Sequence, residues 1–433
     1  KKIVLHFQAG NNIQTRTIKT LYTHHGPVMA KRNGRFLSMR ADNRIMNGLI
    51  QCWQRTKAKN LEEFKRTLAL NGNISNNTVY ADDAGNIAYW HGNRVPARDP
   101  KYDWSKPVDG TTRATEWKGL HPINETIQMI NPRNGWLQNC NSTPFTAADT
   151  NSPKKSDYPS YMAPDEENFR GLNAVRVLRE QSSYNLEKVI RAGYDPRLTA
   201  FETLIPALIN AFESHKSFHD SLYSSLAEPL NILRNWDYRV GEKSIATTLA
   251  IEWGQKILPM INNTKLLNNI KGGLVEKTRQ FLSVVPADSL LLPLLTTIRD
   301  LESRFGNWQV AWGEINRFQR ISNDIEFKFD DTETSIPVGF VSSTWGMLPS
   351  FSSQTFPNTK KRYGIYGNSF ICAVEFGKKI KAKSLLAGGE SGMPGSKHFF
   401  DQGLIYSKGQ FRDVLFYKED ILKHAERVYR PGE

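Results

Sequence analysis

From about Leu198 to Phe305 the sequence carries long apolar segments at helical spacing, among them 198–212 and 290–301. Apolar residues recurring every three or four positions bury only when a helical face packs against something, so this stretch predicts helices packed on one another. On either side the pattern turns extended. Lys2-Ile3-Val4-Leu5-His6-Phe7, residues 15–23 and residues 34–39 read as strands before it, and Ile325-Glu326-Phe327-Lys328-Phe329 and residues 369–376 read as strands after it. The order predicts an α+β protein with a mixed region over 1–197, an inserted helical subdomain over 198–320, and a return to sheet over 321–433. A chain of 433 residues, 39% hydrophobic, is long enough to bury a large core in more than one compact unit. No window approaches about 18 uninterrupted apolar residues, so no membrane span is expected.

Charge and cysteine narrow the classes further. The net charge of +14 invites a polyanion partner, because basic surfaces collect phosphates through counterion release. The basic residues are nevertheless dispersed, and Lys154-Lys155, Lys360-Lys361 and Lys378-Lys379 are only pairs. No helix-turn-helix, finger or aromatic RNA-binding pattern accompanies them, so a solvated basic surface is the reading and no nucleic-acid partner is expected. Cys52, Cys140 and Cys372 are too far apart for a metal motif, and three cysteines cannot complete a disulfide framework. Lys1-Lys2-Ile3-Val4-Leu5 has neither an initiator Met nor a basic-then-apolar leader, which leads us to expect a processed product or a fragment.

Individual stretches place candidate residues. His24-His25-Gly26-Pro27 suggests a metal or base pair of histidines, but neighbours on a strand point to opposite faces, so a structural role is expected for His25. From Arg44 a helical pattern puts Leu49, Ile50 and Trp53 on one stripe. Asn60 then starts a second helix, with Glu63 three positions on and Leu61, Phe64 and Leu68 at helical spacing. Asp83-Ala84-Gly85-Asn86 separates two short runs and reads as a hairpin turn. Residues 131–144 open with turn formers, pass through the half-apolar run Trp136 to Cys140 and close on Asn141, Ser142, Thr143 and Pro144. This reads as a strand that delivers an amide to a loop. Such an amide serves either to cap the turn or to donate to an oxyanion. The helix from Phe169 carries Leu172, Val175 and Leu178 on its apolar side, with Arg170 and Arg176 off it.

Four segments, in one order along nearly the whole chain, resemble the penicillin acylase family of N-terminal-nucleophile hydrolases, which split amides. They are Lys57-Ala58-Lys59-Asn60 opening a helix, Tyr80-Ala81-Asp82 with Gly85-Asn86-Ile87 and Tyr89, Asn139-Cys140-Asn141-Ser142-Thr143-Pro144, and Gly389-Glu390-Ser391-Gly392 followed by His398, Asp401 and Gln402. Tyr366-Gly367-Asn368-Ser369-Phe370 and the closing Arg427-Val428-Tyr429-Arg430-Pro431-Gly432-Glu433 resemble the branch acting on acyl-homoserine lactones and lipopeptides.

The resemblance implies a four-layer αββα core, incomplete here. It implies Asn141 as oxyanion donor, Arg170 as the residue orienting it, and Cys52, Trp53 and Asn76 at an acyl pocket walled by the helical hairpin. From the residues themselves, Cys52 reads equally as core, Asn76 as a loop cap and Arg170 as a solvated helix arginine. Asp99-Pro100 corresponds to a place where some relatives give a backbone oxygen to a structural calcium. No matching carboxylate set accompanies Pro100, and the chemistry requires no cofactor. The implied partners are an N-acyl amide substrate, the upstream part of the large subunit and the small subunit, in a periplasmic or secreted enzyme.

The family's nucleophile is a serine at the amino terminus of the large subunit, whose own α-amine, with a pKa of about 7.7 to 8.0, acts as base. Here residue 1 is Lys, and Gly389-Glu390-Ser391-Gly392-Met393 fails the Gly-x-Ser-x-Gly elbow at its last position. The chain alone is therefore expected not to turn over substrate. A noncatalytic acyl-amide-binding module on the same scaffold is the alternative reading.

Overall fold

The computed structural model describes residues 1–42, 45–73, 75–214, 224–263, 272–321 and 328–432. The chain divides into two compact units. One comprises Lys1–Asp82, Asn86–Gly135 and Pro153–Pro164, and the other comprises Asp83–Gly85, Trp136–Ser152 and Asp165–Glu433.

The first unit is built from hairpins and two short helices. Strands β1 (Lys2–Ala9) and β2 (Asn12–Lys19) pair antiparallel from Lys2 opposite Lys19 to Ala9 opposite Asn12. β3 (Tyr22–Thr23), β4 (Gly26–Arg32) and β5 (Arg35–Ser38) form a three-stranded meander. Strand alternation would put His24 and His25 on opposite faces. They instead occupy the two-residue turn between β3 and β4, where that alternation does not apply, and their ring centroids are 3.7 Å apart.

Helix α1 (Met46–Arg55) follows, but its apolar stripe is not a core face: Leu49 is 69% and Trp53 67% exposed. The buried residue of α1 is Gln51, whose Oε1 accepts from the backbone of Gly72 at 2.6 Å and Asn73 at 3.2 Å. Buried loop amides need an acceptor, and this polar side chain supplies it where an apolar one could not. Helix α2 (Leu61–Leu68) starts as its sequence predicts, with Asn60 Oδ1 accepting from Glu63 N at 2.9 Å. Its Leu61 and Leu68 bury against Ala88 and Trp90. Those last two lie on β7 (Ile87–Trp90), the middle strand between β6 (Thr78–Ala81) and β8 (Gln128–Ile130). The Asp82 carboxylate accepts from Asn86 N at 2.9 Å at the root of the β6–β7 hairpin.

The second unit holds the large core. Helices α3 (Phe169–Arg179) and α4 (Leu186–Gly193) lead into α5 (Phe201–Ser214), α6 (Ala227–Arg234), α7 (Ile245–Ile261), α8 (Leu274–Val284) and α9 (Asp288–Phe305). Helix α7 is apolar nearly all round and is accordingly buried, with Trp253 fully enclosed and its indole N–H on the Leu290 carbonyl at 3.0 Å. Fully burying a side chain such as Leu249 or Ile257 stabilises the fold by about 1.5 to 3 kcal/mol. Helix α9 ends at Gly306, φ 77°, a left-handed position that glycine adopts without a Cβ penalty. No single described helix is long and apolar enough to cross a membrane.

Sheet returns after α10 (Trp312–Ile315). β9 (Asn316–Phe318), β10 (Ile336–Pro337), β11 (Phe351–Thr355) and β12 (Arg362–Gly367) are ordered β10-β9-β12-β11, with β9 and β12 parallel. β13 (Phe370–Glu375), β14 (Lys381–Leu386) and β15 (Arg412–Asp413) form an antiparallel sheet, with α11 (Gly403–Lys408) between the last two and α12 (Lys418–Lys423) after them. Of the extended run expected at 325–329, residues 325–327 lie outside the described residues, and Lys328 and Phe329 are not in a strand.

Candidate active site

The run Trp136 to Cys140 is not a strand. Its backbone makes loop contacts in place of a ladder, among them Gln138 N–H to the Ala147 carbonyl at 2.8 Å. At Asn141 the backbone takes φ 51°, the left-handed region that asparagine tolerates better than most residues. Pro144 then opens a 3-10 turn, capped by Thr143.

The first turn of α3 holds this bend. Asn168 is the helix N-cap, its Oδ1 accepting from Gly171 N at 2.8 Å. Its Nδ2 donates in the other direction, to the Cys140 carbonyl at 3.2 Å and the Asn141 carbonyl at 3.0 Å. Arg170, two residues further along the helix, donates from Nη2 to the Cys140 carbonyl at 2.7 Å and to Asn141 Oδ1. A Cβ on Gly171 would meet Glu167 Oε1 and Ser142 Oγ at 2.6 Å, so this glycine is what lets the helix approach the segment so closely. A cation in the first turn of a helix opposes the macrodipole. The two carbonyl-type acceptors of the bend offset that cost for Arg170.

This arrangement has a chemical consequence. A guanidinium can only donate, so the atom of Asn141 facing Arg170 is the amide oxygen, and the amide cannot flip without losing that bond. The Asn141 NH2 is thereby turned away from α3 on an exposed residue, with both N–H groups polarised by the cation on the oxygen. A neutral donor held in this way suits an oxygen that gains negative charge during a reaction.

Cys140 sits beside the amide but is not a second reactive group. Burial of its thiol pushes it up to about 11, with Arg170 pulling down less than burial pushes up. The neutral thiol therefore dominates at pH 8, whereas the thiolate is the nucleophile. Cys52 and Cys372 are exposed. Brief alkylation with iodoacetamide at pH 8 is expected to label the exposed Cys52 and to spare Cys140, as read by peptide mass mapping; equal labelling of both would contradict the upward shift of the Cys140 thiol.

The remaining candidates, Cys52, Trp53, Asn76 and Pro100, lie in the first unit. Cys52 is exposed on α1, so the core-packing expectation for it does not hold. Trp53 is exposed beside it, with the Lys57 ammonium 4.6 Å from its ring centroid. Asn76 is clamped through its backbone, its N–H on Asn73 Oδ1 at 3.3 Å and its carbonyl taking Asn73 Nδ2 at 2.9 Å, so Asn73 and not Asn76 supplies the capping side chain. At Asp99-Pro100, Asp99 Oδ1 accepts from Lys101 N at 3.1 Å and Oδ2 lies 3.5 Å from the Lys101 ammonium. Calcium takes about six to eight oxygen ligands. A carboxylate already held by a lysine, next to one proline, does not fit it. Sequence reasoning missed Asn168, although an asparagine immediately before an apolar-periodic run is the usual N-cap signal.

Residues 2–423 match the family model described as Penicillin amidase. Penicillin G acylase of Escherichia coli is 32% identical over 153 residues, which cover 34% of this chain and 17% of that protein. The matched stretch thus spans under a fifth of the relative's length. The structure titled thermostable penicillin G acylase from Alcaligenes faecalis, in orthorhombic form, aligns over 99% of this chain and 81% of that one, with a TM-score of 0.64 and 18% identity. At that identity the likeness gives the fold, a mixed α+β architecture of the N-terminal-nucleophile hydrolase type.

Proposed function

Because the chain belongs to the penicillin amidase family, we propose that it forms part of an amidohydrolase in which Asn141 stabilises the oxyanion and Arg170 positions Asn141. The observation that carries this reading is the anchored amide: its oxygen bonded to Arg170 and its NH2 turned outward from a strained loop. The nucleophile is a serine outside residues 1–433. Its Oγ attacks the substrate carbonyl, its α-amine takes the proton, and the carbonyl oxygen gains charge within reach of the Asn141 N–H groups. Collapse of the tetrahedral intermediate releases the amine, and water then frees the acid from the acyl-enzyme.

The substrates are N-acyl compounds with a fatty or aromatic acyl group, such as acyl-homoserine lactones, lipopeptides or β-lactam side chains. The exposed Leu49 and Trp53 of α1, with Cys52 beside them and Asn76 on a neighbouring loop, are the acyl-contacting residues in this reading. The partners are the upstream part of the large subunit and a small subunit from the same precursor, in the periplasm or outside the cell. No step draws on calcium. The test is to incubate the intact protein with N-acyl substrates of graded chain length and measure acid and amine together. Equimolar release is expected. Saturable binding with no amine released would replace this reading with that of an acyl-amide-binding module.

A further inference from the structure

A second constellation lies in the first unit, at the turn between β3 and β4. His24 Nε2 is 2.8 Å from Glu116 Oε1, and His25 Nδ1 is 3.8 Å from the same oxygen. On the far side of the His25 ring, Nε2 is 2.9 Å from the Gly110 carbonyl. A carbonyl oxygen only accepts, so this bond places the ring proton on Nε2 and leaves the Nδ1 lone pair facing a carboxylate. Two acceptors facing each other are relieved by a cation between them, either a second proton or a metal ion.

We propose that His24 Nε2, His25 Nδ1 and Glu116 Oε1 bind a transition-metal dication of the zinc type. The three donor atoms lie within 4.8 Å of one another. Zinc holds nitrogen and oxygen ligands at about 2.0 to 2.2 Å, which puts the corners of a tetrahedron about 3.3 to 3.6 Å apart. The two imidazole-to-carboxylate edges, 2.8 and 3.8 Å, bracket that spacing, and the His24–His25 edge lies within 4.8 Å, so side-chain adjustments on the order of an ångström bring the three donors to tetrahedral corners. Two imidazoles and a carboxylate suit zinc, nickel or copper, whereas calcium and magnesium prefer oxygen alone.

The surrounding groups orient the donors as partners of metal ligands do. The Gly110 carbonyl sets the His25 tautomer, the usual second contact of a metal-bound histidine. A Cβ on Gly110 would lie 2.9 Å from His25 Nε2, so glycine is what permits that approach. Arg40 Nη1 takes the other carboxylate oxygen, Glu116 Oε2, at 3.2 Å, and its guanidinium is stacked on the Trp117 ring at 4.2 Å. Glu116 is thus held to one free oxygen. His24 is exposed, which leaves the fourth position open to water.

The test is calorimetric titration of the metal-free chain with zinc chloride at pH 7.5. One equivalent is expected to bind with micromolar affinity, weakened at least tenfold in His24→Ala and in His25→Ala and unchanged in His6→Ala, a histidine of β1 paired with Thr15. No binding, or the same affinity in all three variants, would overturn the proposal. The unsubstituted chain gives a check independent of variant folding. Cobalt(II) should bind in competition with zinc and show the intense visible bands of a four-coordinate site, whereas the weak bands of a six-coordinate ion would exclude this ligand set.

Discussion

Replacing Asn141 with alanine in the complete enzyme is expected to lower kcat by about a hundredfold to a thousandfold, the loss of about 2.7 to 4 kcal/mol associated with one oxyanion donor. The substitution removes the NH2 that Arg170 turns outward and, among the described residues, leaves the guanidinium the Cys140 carbonyl as its acceptor. It also places alanine at φ 51°, where asparagine is the better residue, so part of any effect could come from the backbone. Asn141→Gly separates the two causes. Glycine accepts that backbone angle but has no amide, and a comparable drop in both variants assigns the loss to the donor. Thermal unfolding of both should stay close to that of the parent, because Asn141 is exposed. Unchanged turnover in either variant, with the protein folded, would remove Asn141 from the proposed site.

Replacing Glu252 with alanine is expected to destabilise the second unit by about 3 to 5 kcal/mol, the range for removing one partner of a buried ion pair. Glu252 lies on α7 and is 9% exposed. Its Oε1 takes Arg362 Nη1 of β12 at 2.9 Å, and its Oε2 takes Arg304 Nη1 of α9 at 2.8 Å. Arg362 also donates to the Ser353 carbonyl of β11 at 2.6 Å, and Arg304 donates to the Lys360 carbonyl. One carboxylate therefore joins two core helices to the four-stranded sheet. Without it, both cations lose the anion they share, and Arg362, itself 9% exposed, keeps no ion-pair partner among the described residues. Chemical denaturation of the parent and Glu252→Ala measures the difference. Glu252→Gln keeps an acceptor in the same volume and should fall between them. A loss below about 1 kcal/mol in the alanine variant would mean that the pair adds little beyond the cost of desolvating it.

Much of the architecture follows from local physics and is legible in the sequence. The periodic apolar segments between 198 and 305 are the helices α5 to α9 wherever the chain is described, because a helix needs only its own spacing and an apolar face. Asn60 caps α2 through a residue three positions away. The hairpin at 80–89 pairs in register because its turn residues and alternation lie within ten positions. Family membership is legible for the same reason, since motifs are short and ordered along the chain.

What the sequence alone does not contain is which distant group each polar side chain meets. Asn141 and Arg170 are 29 positions apart, His24 and Glu116 are 92 apart, and Glu252 and Arg362 are 110 apart. Each pairing depends on the path of the chain between the partners, which no local pattern encodes. The same holds for exposure. The apolar stripe of α1 has core spacing and yet faces outward, while the polar Gln51 turns inward because the loop amides of Gly72 and Asn73 require an acceptor. The sequence determined where helices and turns form and what chemistry is present; the tertiary structure decided which donors face one another, because burial and hydrogen-bond satisfaction are settled across the fold and not along it.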